Sequence, residues 1–501
     1  MSTFLPEPDT VRGAVVALLE AIGDVVFWYF LAINTSYLIL IVIAAVEFTQ
    51  YLRRQAYDGR EETYVSPLTA PVSILVPAYN EELNIVSAVQ AMLALRYPVF
   101  EVVVIVDGST DQTLARLIEA FDLVPTVQVI PDDVPTRSPI LASYTPRAGS
   151  PALTVIHKVN GGRADALNTA INAARHPLVC MVDADSILDP DALLAVAQPF
   201  SDDPLRAVAT GGVIRVVNGC TVRAGRITEV RTPRAWLPRI QIAEYLRAFL
   251  LGRTGWSKVD GLLVISGAFG LFRRDVVVAV GGLDADSIGE DAELVVRLHR
   301  QLRREKKPYR ISFVGEPVSW TEVPSTRAVL GRQRRRWQRG LIDILVKYVT
   351  MIGNPRYGRI GTVALPYFLL FEAIAPLVEL LGIVVVPIGL LLGVIDPGFA
   401  LQLLLVAYGY AILVTLTAIA VEEFAFHRYR HWRDLGVITL AAILENFGFR
   451  QLTAWWRVQG VYQAVRRTKT DWGVMTRQGF DNTSADAADA AAEDATSDRR
   501  P

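Results

Sequence analysis

Three long apolar runs constrain this chain more than any other feature. Val25–Phe48 is apolar apart from Asn34, Thr35, Ser36 and Glu47, and Phe399–Val421 is nearly unbroken. Each is long enough to cross a bilayer, which needs about 20 residues. Tyr367–Ile395 is the third. At about 1.5 Å per residue it is too long for one upright span and too short for two with a turn. Pro376 and Glu379 point to an interfacial start followed by one crossing. Leu435–Trp456 is a weaker candidate because it contains Glu445, Asn446 and Arg450, so three or four spans are expected. Val11–Ile22 reads as a short amphipathic helix on the membrane surface. Val25–Phe48 is too long for a leader peptide and no small-residue cleavage site follows it.

The flanks set the orientation. Arg53, Arg54 and Arg60 follow the first run, whereas Glu7, Asp9, Glu20 and Asp24 precede it. Arg428, Arg430 and Arg433 follow the Phe399 run. Basic flanks stay on the cytoplasmic side, so the polar stretch between the runs is expected there, at a plasma or inner membrane. Over the 501 residues the formal net charge is −1, which gives no basic field for nucleic acid. Two cysteines, Cys180 and Cys220, are too few for a disulfide framework, and Cys180 falls in a run that reads as buried core. No solenoid-length repeat is visible.

From Pro71 the pattern switches to strands alternating with helices. Val72–Ala78, Glu101–Gly108, a VQVI strand at Val127, Leu153–Lys158 and Leu178–Val182 read as strands. Glu82–Leu95 and Arg163–Ala174 read as helices, and Pro131–Pro151 as an insertion of little structure. Such alternation predicts a mostly parallel sheet covered by helices. Further on, Ala207–Val217 and Gly261–Phe272 read as strands, the second interrupted by glycines. Ile240–Leu251, Glu290–Leu302 and Leu330–Thr350 read as helices, the last lying against the membrane.

Ligands of open α/β sheets bind at the carboxyl ends of the strands, and polar residues gather there. Tyr79, Asn80, Glu81 and Glu82 follow the first strand, and Asp107 ends the second. Asn160–Asn168 is a Gly-rich turn opening a helix, whose free N–H groups and dipole suit a phosphate; Arg163 adds a full charge. Asp183 and Asp185 follow Leu178–Val182. Two carboxylates so close at an apolar sheet edge call for a compensating cation, most naturally a divalent metal that also holds a diphosphate. Each feature alone has an ordinary alternative: a turn aspartate, a plain glycine loop, acids favoured at a helix start. Glu290 and Asp291 open one helix, and Gln333, Arg336 and Trp337 lie in another whose Arg334 and Arg335 suit anionic lipid. Gln333 and Trp337 are four apart on one face, where an indole suits a sugar ring.

The combination PAYNEE, VDGSTD, DAD, GED and QRRRW resembles the membrane-embedded family 2 glycosyltransferases of GT-A fold. These include cellulose, chitin, hyaluronan and poly-N-acetylglucosamine synthases. The resemblance runs from Val72 to about Gly340, with the flanking membrane segments and a WGVMTRQGF stretch near Trp472. It implies an α/β GT-A domain, Rossmann-like, inserted between membrane and interfacial helices. Tyr79, Glu81, Asp107, Arg163, Asp183, Gln333 and Arg336 would bind the nucleotide sugar. Asp185 would ligate Mg²⁺ or Mn²⁺, and Asp291 would be the general base. Glu290 and Trp337 would bind the acceptor. The family commonly has Lys where this chain has Arg163, a change that keeps charge but not geometry, so Lys158 is an alternative phosphate contact.

The implied reaction is inverting, metal-dependent transfer from a UDP-sugar, hexosyl or N-acetylhexosaminyl, to a growing polysaccharide, with processive elongation and translocation. The rivals are single addition to a lipid-linked acceptor and a catalytically silent sugar-binding membrane protein. Membrane lipid is an expected partner, and the resemblance leaves room for an accessory subunit. The expected division is 1–60 membrane segment, 61–328 catalytic domain, 329–364 interface helix, 365–465 membrane helices, 466–481 the WGVMTRQGF segment, and 482–501 an acidic tail of low complexity.

Overall fold

A computed structural model describes residues 8–55, 60–149, 151–223, 225–426 and 432–467. The expectations for the WGVMTRQGF segment, the acidic tail, Arg428 and Arg430 lie outside the described residues.

The core is a ten-stranded mixed sheet. Its strands are β1 (Val72–Ala78), β2 (Phe100–Asp107), β3 (Leu123–Thr126), β4 (Ile140–Pro146), β5 (Leu153–Lys158), β6 (Leu178–Val182), β7 (Ser186–Leu188) and β8 (Ala207–Val216); after a small hairpin of β9 (Thr221–Arg223) and β10 (Arg226–Glu229), it is completed by β11 (Phe269–Arg273) and β12 (Arg310–Thr321). The order is β3-β4-β5-β2-β1-β6-β11-β8-β12-β7. Strands β5, β2, β1 and β6 run parallel at its heart. They are mostly apolar because helices cover both faces, as the burial of every residue of β6 shows. Cys180 sits in the middle of β6, fully buried.

Two expectations fail on the β3 side. Val127–Ile130 is not a strand: the strand is Leu123–Thr126, and Val127 and Val129 are almost wholly exposed. Apolar alternation there is not matched by a neighbouring strand to pair with. The stretch read as unstructured contains β4, which pairs antiparallel with β3 and β5 and extends the sheet edge. In the Gly261–Phe272 run only the end, β11, is strand.

Among the described residues, three helical stretches are long and apolar enough to cross a membrane: Val16–Glu47, Ile360–Leu391 and Pro397–Phe424. The first lies within one continuous helix, Pro8–Gln55, so the separate surface helix over Val11–Ile22 does not exist. Leu435–Trp456 is broken at Phe447 and Gly448, whose backbone is non-helical, into Trp432–Leu444 and Arg450–Arg466. The helix Arg327–Lys347 packs along Arg450–Arg466. A side chain at Gly331 would strike the Trp456 ring, and one at Gly460 the Arg335 carbonyl.

Candidate functional site

The loops after β1 and β2 are braided together. Asn80, at φ +55°, accepts from the Thr110 N–H at 2.8 Å, and its own N–H donates to Ser109 Oγ. Glu82 N–H donates to Asp111, and Gln112 N–H donates to Glu82. The braid leaves Tyr79 half exposed at the sheet edge and Glu81 buried beneath it.

Asp107, at the end of β2, is buried. Its Oδ1 accepts from Lys158 Nζ at 2.9 Å and Gly161 N–H at 3.0 Å; its Oδ2 accepts from Gly162 N–H at 2.9 Å. The glycine N–H groups expected to face a phosphate are therefore taken by a carboxylate of the fold itself. Lys158 is also unavailable to a phosphate: it is wholly buried and divides its charge between Asp107 and Asp165.

Arg163 opens the helix after this turn and is the hub of the site. Its Nε and Nη2 both donate to Asp183 Oδ1, at 3.0 and 2.7 Å. Its Nη1 donates to Glu290 Oε1 at 2.6 Å and its Nη2 to the Gly267 carbonyl at 2.8 Å. The N–H of the same Gly267 donates to Asp291 Oδ2 at 3.0 Å, and Ala292 N–H donates to Asp291 Oδ1. Asp183 and Asp291, distant in sequence, are thus held through one guanidinium and one glycine. Asp185, two residues past Asp183, is buried at the same edge.

Burial alone would lower the Arg163 guanidinium, yet Asp183 and Glu290 outweigh it and hold it above its ordinary value. Burial raises the Glu290 carboxyl above the usual carboxylate range against the pull of Arg163, and Asp291 beside it adds to the rise. Burial lowers Arg336, while Glu290 and Asp291 partly restore it, so this guanidinium lies within the field of the same acids.

Trp337 is 44% exposed, and the Arg334 guanidinium sits 4.7 Å from its ring centroid. Arg334 is not a lipid contact as expected: it pairs with Glu244 at 2.6 Å. Arg335 is partly exposed and donates to Gln459 at 3.0 Å. Both are captured by helices that pack beside them, which local charge patterning does not reveal. Gln333 lies one turn before Trp337 and is partly buried.

Sequence reading missed Asp165, Gly267 and Arg253. The signal for Gly267 was its place in a glycine-interrupted apolar run. Arg253 ends a π-helical stretch, Leu246–Arg253, with its guanidinium 3.8 Å from the Phe249 ring centroid; burial pushes it down to about 10, and Asp291 is the first charge to oppose that shift. It carried no motif to mark it.

Residues 73–280 match the model described as glycosyl transferase family 2, and residues 178–419 match glycosyl transferase family group 2; together they span more than half of the chain. Curated relatives include the poly-beta-1,6-N-acetyl-D-glucosamine synthase of Staphylococcus aureus (strain COL), 30% identical over 278 residues, which are 55% of this chain and 56% of that protein. The Staphylococcus epidermidis enzyme of the same name is 28% identical over 305 residues, 61% of each chain. The chain thus spans little more than half the length of the relatives it matches. Among solved structures, a mannosyltransferase from Pyrobaculum calidifontis in complex with GDP-Man and Mn²⁺ aligns with 88% of this chain and 100% of its own, at 18% identity and a TM-score of 0.46. The sheet is of GT-A type, with apolar helices flanking it. The chain belongs to the family 2 glycosyltransferases.

Proposed function

We propose that this chain transfers a sugar from a UDP-linked donor to a saccharide hydroxyl, with inversion at the anomeric carbon, and extends a polymer at the cytoplasmic face of the membrane. The observation that carries the reading is the Arg163 hub, which joins the donor-side Asp183 to the helix bearing Glu290 and Asp291. A single cleft then holds both the acids suited to a nucleotide diphosphate and the acid suited to an acceptor. The names of the curated relatives make UDP-N-acetylglucosamine the first donor to test.

Asp291 is the general base. Gly267 and Ala292 N–H groups fix its carboxylate, so it is oriented before the acceptor arrives. It takes the hydroxyl proton as oxygen attacks the anomeric carbon on the face away from the diphosphate. Arg336 and Gln333 face the departing diphosphate, Tyr79 and Glu81 lie where the base and ribose would sit, and the exposed face of Trp337 supports the acceptor ring. Arg163 holds Asp183 in place and lends its charge to the phosphates.

The acids at the end of β6 also fit a divalent metal. Asp185 and Asp183 supply hard carboxylate oxygens, and the described residues contain no group of three or more ligating side chains. That donor set suits Mg²⁺ or Mn²⁺, with diphosphate and water completing the coordination. When bound, such an ion neutralises charge building on the leaving diphosphate.

The test is turnover of UDP-N-acetylglucosamine and other UDP-sugars by purified protein with Mn²⁺ or Mg²⁺, recording UDP release and product size. Asp291→Asn is expected to lower transfer by about a thousandfold or more while UDP affinity stays within about twofold. Retained transfer would remove Asp291 as the base. One added sugar in place of a ladder would replace elongation by single addition.

A further inference from the structure

Arg253 is a largely buried cation that the proposed reaction leaves idle. It closes the stretch Leu246–Arg253, whose π-helical bonding is a local widening of the helix that recurs at functional sites. Tyr245, Phe249 and Arg253 stack in a row along it. The Tyr245 and Phe249 ring centroids are 5.2 Å apart, and the Arg253 guanidinium lies 3.8 Å from the Phe249 centroid. Both rings are buried. Arg253 Nη1 is buried too, and it has no hydrogen-bond partner among the described residues. An unmet buried donor is costly, so a fold retains one where an incoming group meets it.

The two ends of this row fall on the acceptor side of the site. At one end Glu244, next to Tyr245, pairs at 2.6 Å with Arg334, whose guanidinium sits 4.7 Å from the Trp337 ring centroid. At the other end Asp291 is the first charge to oppose the burial of Arg253. Just beyond Arg253 the chain meets the apolar helices. A Cβ at Gly255 would lie 2.9 Å from the Leu40 carbonyl, and the Trp256 and Tyr367 ring centroids are 4.8 Å apart. Leu40 and Tyr367 belong to the first two membrane-length stretches. Arg253 thus stands where the cleft of Asp291 and Trp337 gives way to those helices.

We infer that Arg253 is an acceptor-binding residue, whose Nη1 donates to a hydroxyl or amide oxygen of the saccharide held between Asp291 and Trp337. A saccharide edge is rich in oxygen acceptors, and a guanidinium held flat on an aromatic ring presents its N–H groups in a fixed fork. Because Phe249 already holds the guanidinium, little side-chain freedom is lost when the sugar arrives. The inference deepens the proposed function and rests on its placing of the acceptor at Asp291 and Trp337.

The test uses full-length protein, with Arg253→Met, which keeps the ring contact and removes the donor, and Arg253→Lys, which keeps the charge and removes the fork. Three quantities are measured: binding of an N-acetylglucosamine pentamer without donor, binding of UDP with Mn²⁺, and the KM for the pentamer in transfer. Arg253→Met is expected to weaken pentamer binding and raise its KM by about tenfold or more, and to keep UDP affinity within about twofold. Arg253→Lys is expected to fall between Arg253→Met and wild type. A general loss of structure would weaken UDP and pentamer alike and so overturn the inference. Unchanged pentamer affinity in Arg253→Met would overturn it, and a moved acid limb of the pH–rate profile in that variant would make Arg253 a helper of Asp291 instead. Should Arg253→Met not fold, wild-type pentamer affinity in Arg253→Lys would overturn the inference and a weakened one would support it. A wild-type protein that binds the pentamer yet turns over no UDP-sugar would strike the proposed transfer, and the pentamer affinities would still decide the role of Arg253. Failure of the wild-type protein to bind the pentamer would overturn that role.

Discussion

At the scale of single residues, the site depends on Gly267. Its N–H holds Asp291 and its carbonyl holds Arg163. A Cβ there would lie 2.6 Å from Arg163 Nη2, against a side chain that is tied at three other points and has nowhere to retreat. Gly267→Ala is therefore expected to push the guanidinium off its partners and lower kcat/KM by about tenfold to a hundredfold, with a melting temperature close to wild type. Steady-state kinetics and a thermal melt of the same sample check both halves. The motif residues on this scale were visible in the sequence, since acids at successive strand ends mark the ligand edge of any open sheet. What pairs with what was not visible. Arg163 could be placed beside the acids from its position, but its partner Glu290 lies 127 positions away, and only the folded chain brings them to 2.6 Å. Lys158 looked like a spare phosphate contact because nothing local shows that two carboxylates enclose it.

At the scale of elements, the helix Glu290–Arg304 presents Asp291 from its first turn and is pinned near its other end by His299. The His299 ring is buried; Nε2 lies 2.9 Å from the Leu262 carbonyl, which can only accept, and Nδ1 lies 2.7 Å from Tyr309 Oη. The neutral tautomer with the proton on Nε2 satisfies both contacts, with Tyr309 donating to Nδ1. Burial lowers His299 from 6.5 to about 4. Between those values the unfolded chain binds a proton that the folded chain refuses, so stability falls as pH falls through this window. Going from neutral pH to about pH 5 is expected to cost about 2 kcal/mol at this site. His299→Gln should flatten that part of the pH dependence, measured by thermal melts across pH. The strands and most helices that build this scaffold follow directly from apolar runs. The exceptions have a common cause. The extra edge strand β4 and the missing one at Val127 depend on a neighbour to pair with, which local periodicity does not encode.

At the scale of the whole molecule, the catalytic sheet is wired into the apolar helices by charge. Arg215 of β8 and Glu422, at the end of the stretch Pro397–Phe424, form an ion pair that is almost wholly buried, with the Arg215 guanidinium 5.4 Å from the Trp320 ring centroid. Arg247 with Glu445 ties the Leu246–Arg253 stretch to the C-terminal helices, and Arg450 with Glu379 and Arg457 with Glu372 tie the helix Arg450–Arg466 to the Ile360–Leu391 stretch. These pairs explain why Leu435–Trp456 carries Glu445 and Arg450 without crossing as a plain apolar span. A half-removed buried pair is more damaging than a wholly removed one. Glu422→Gln is expected to destabilise by about 3 kcal/mol, and Arg215→Met with Glu422→Leu to recover most of the loss. Melting in detergent for the single and double variants checks this, and a single variant as stable as wild type would show the pair to be dispensable.

Main-chain atoms of one glycine link Asp291 to Arg163. A ruler made of backbone has a length that does not change with the side chains around it. On the proposed reading, residues around the sugar are thus free to change, one substitution at a time, without altering that link.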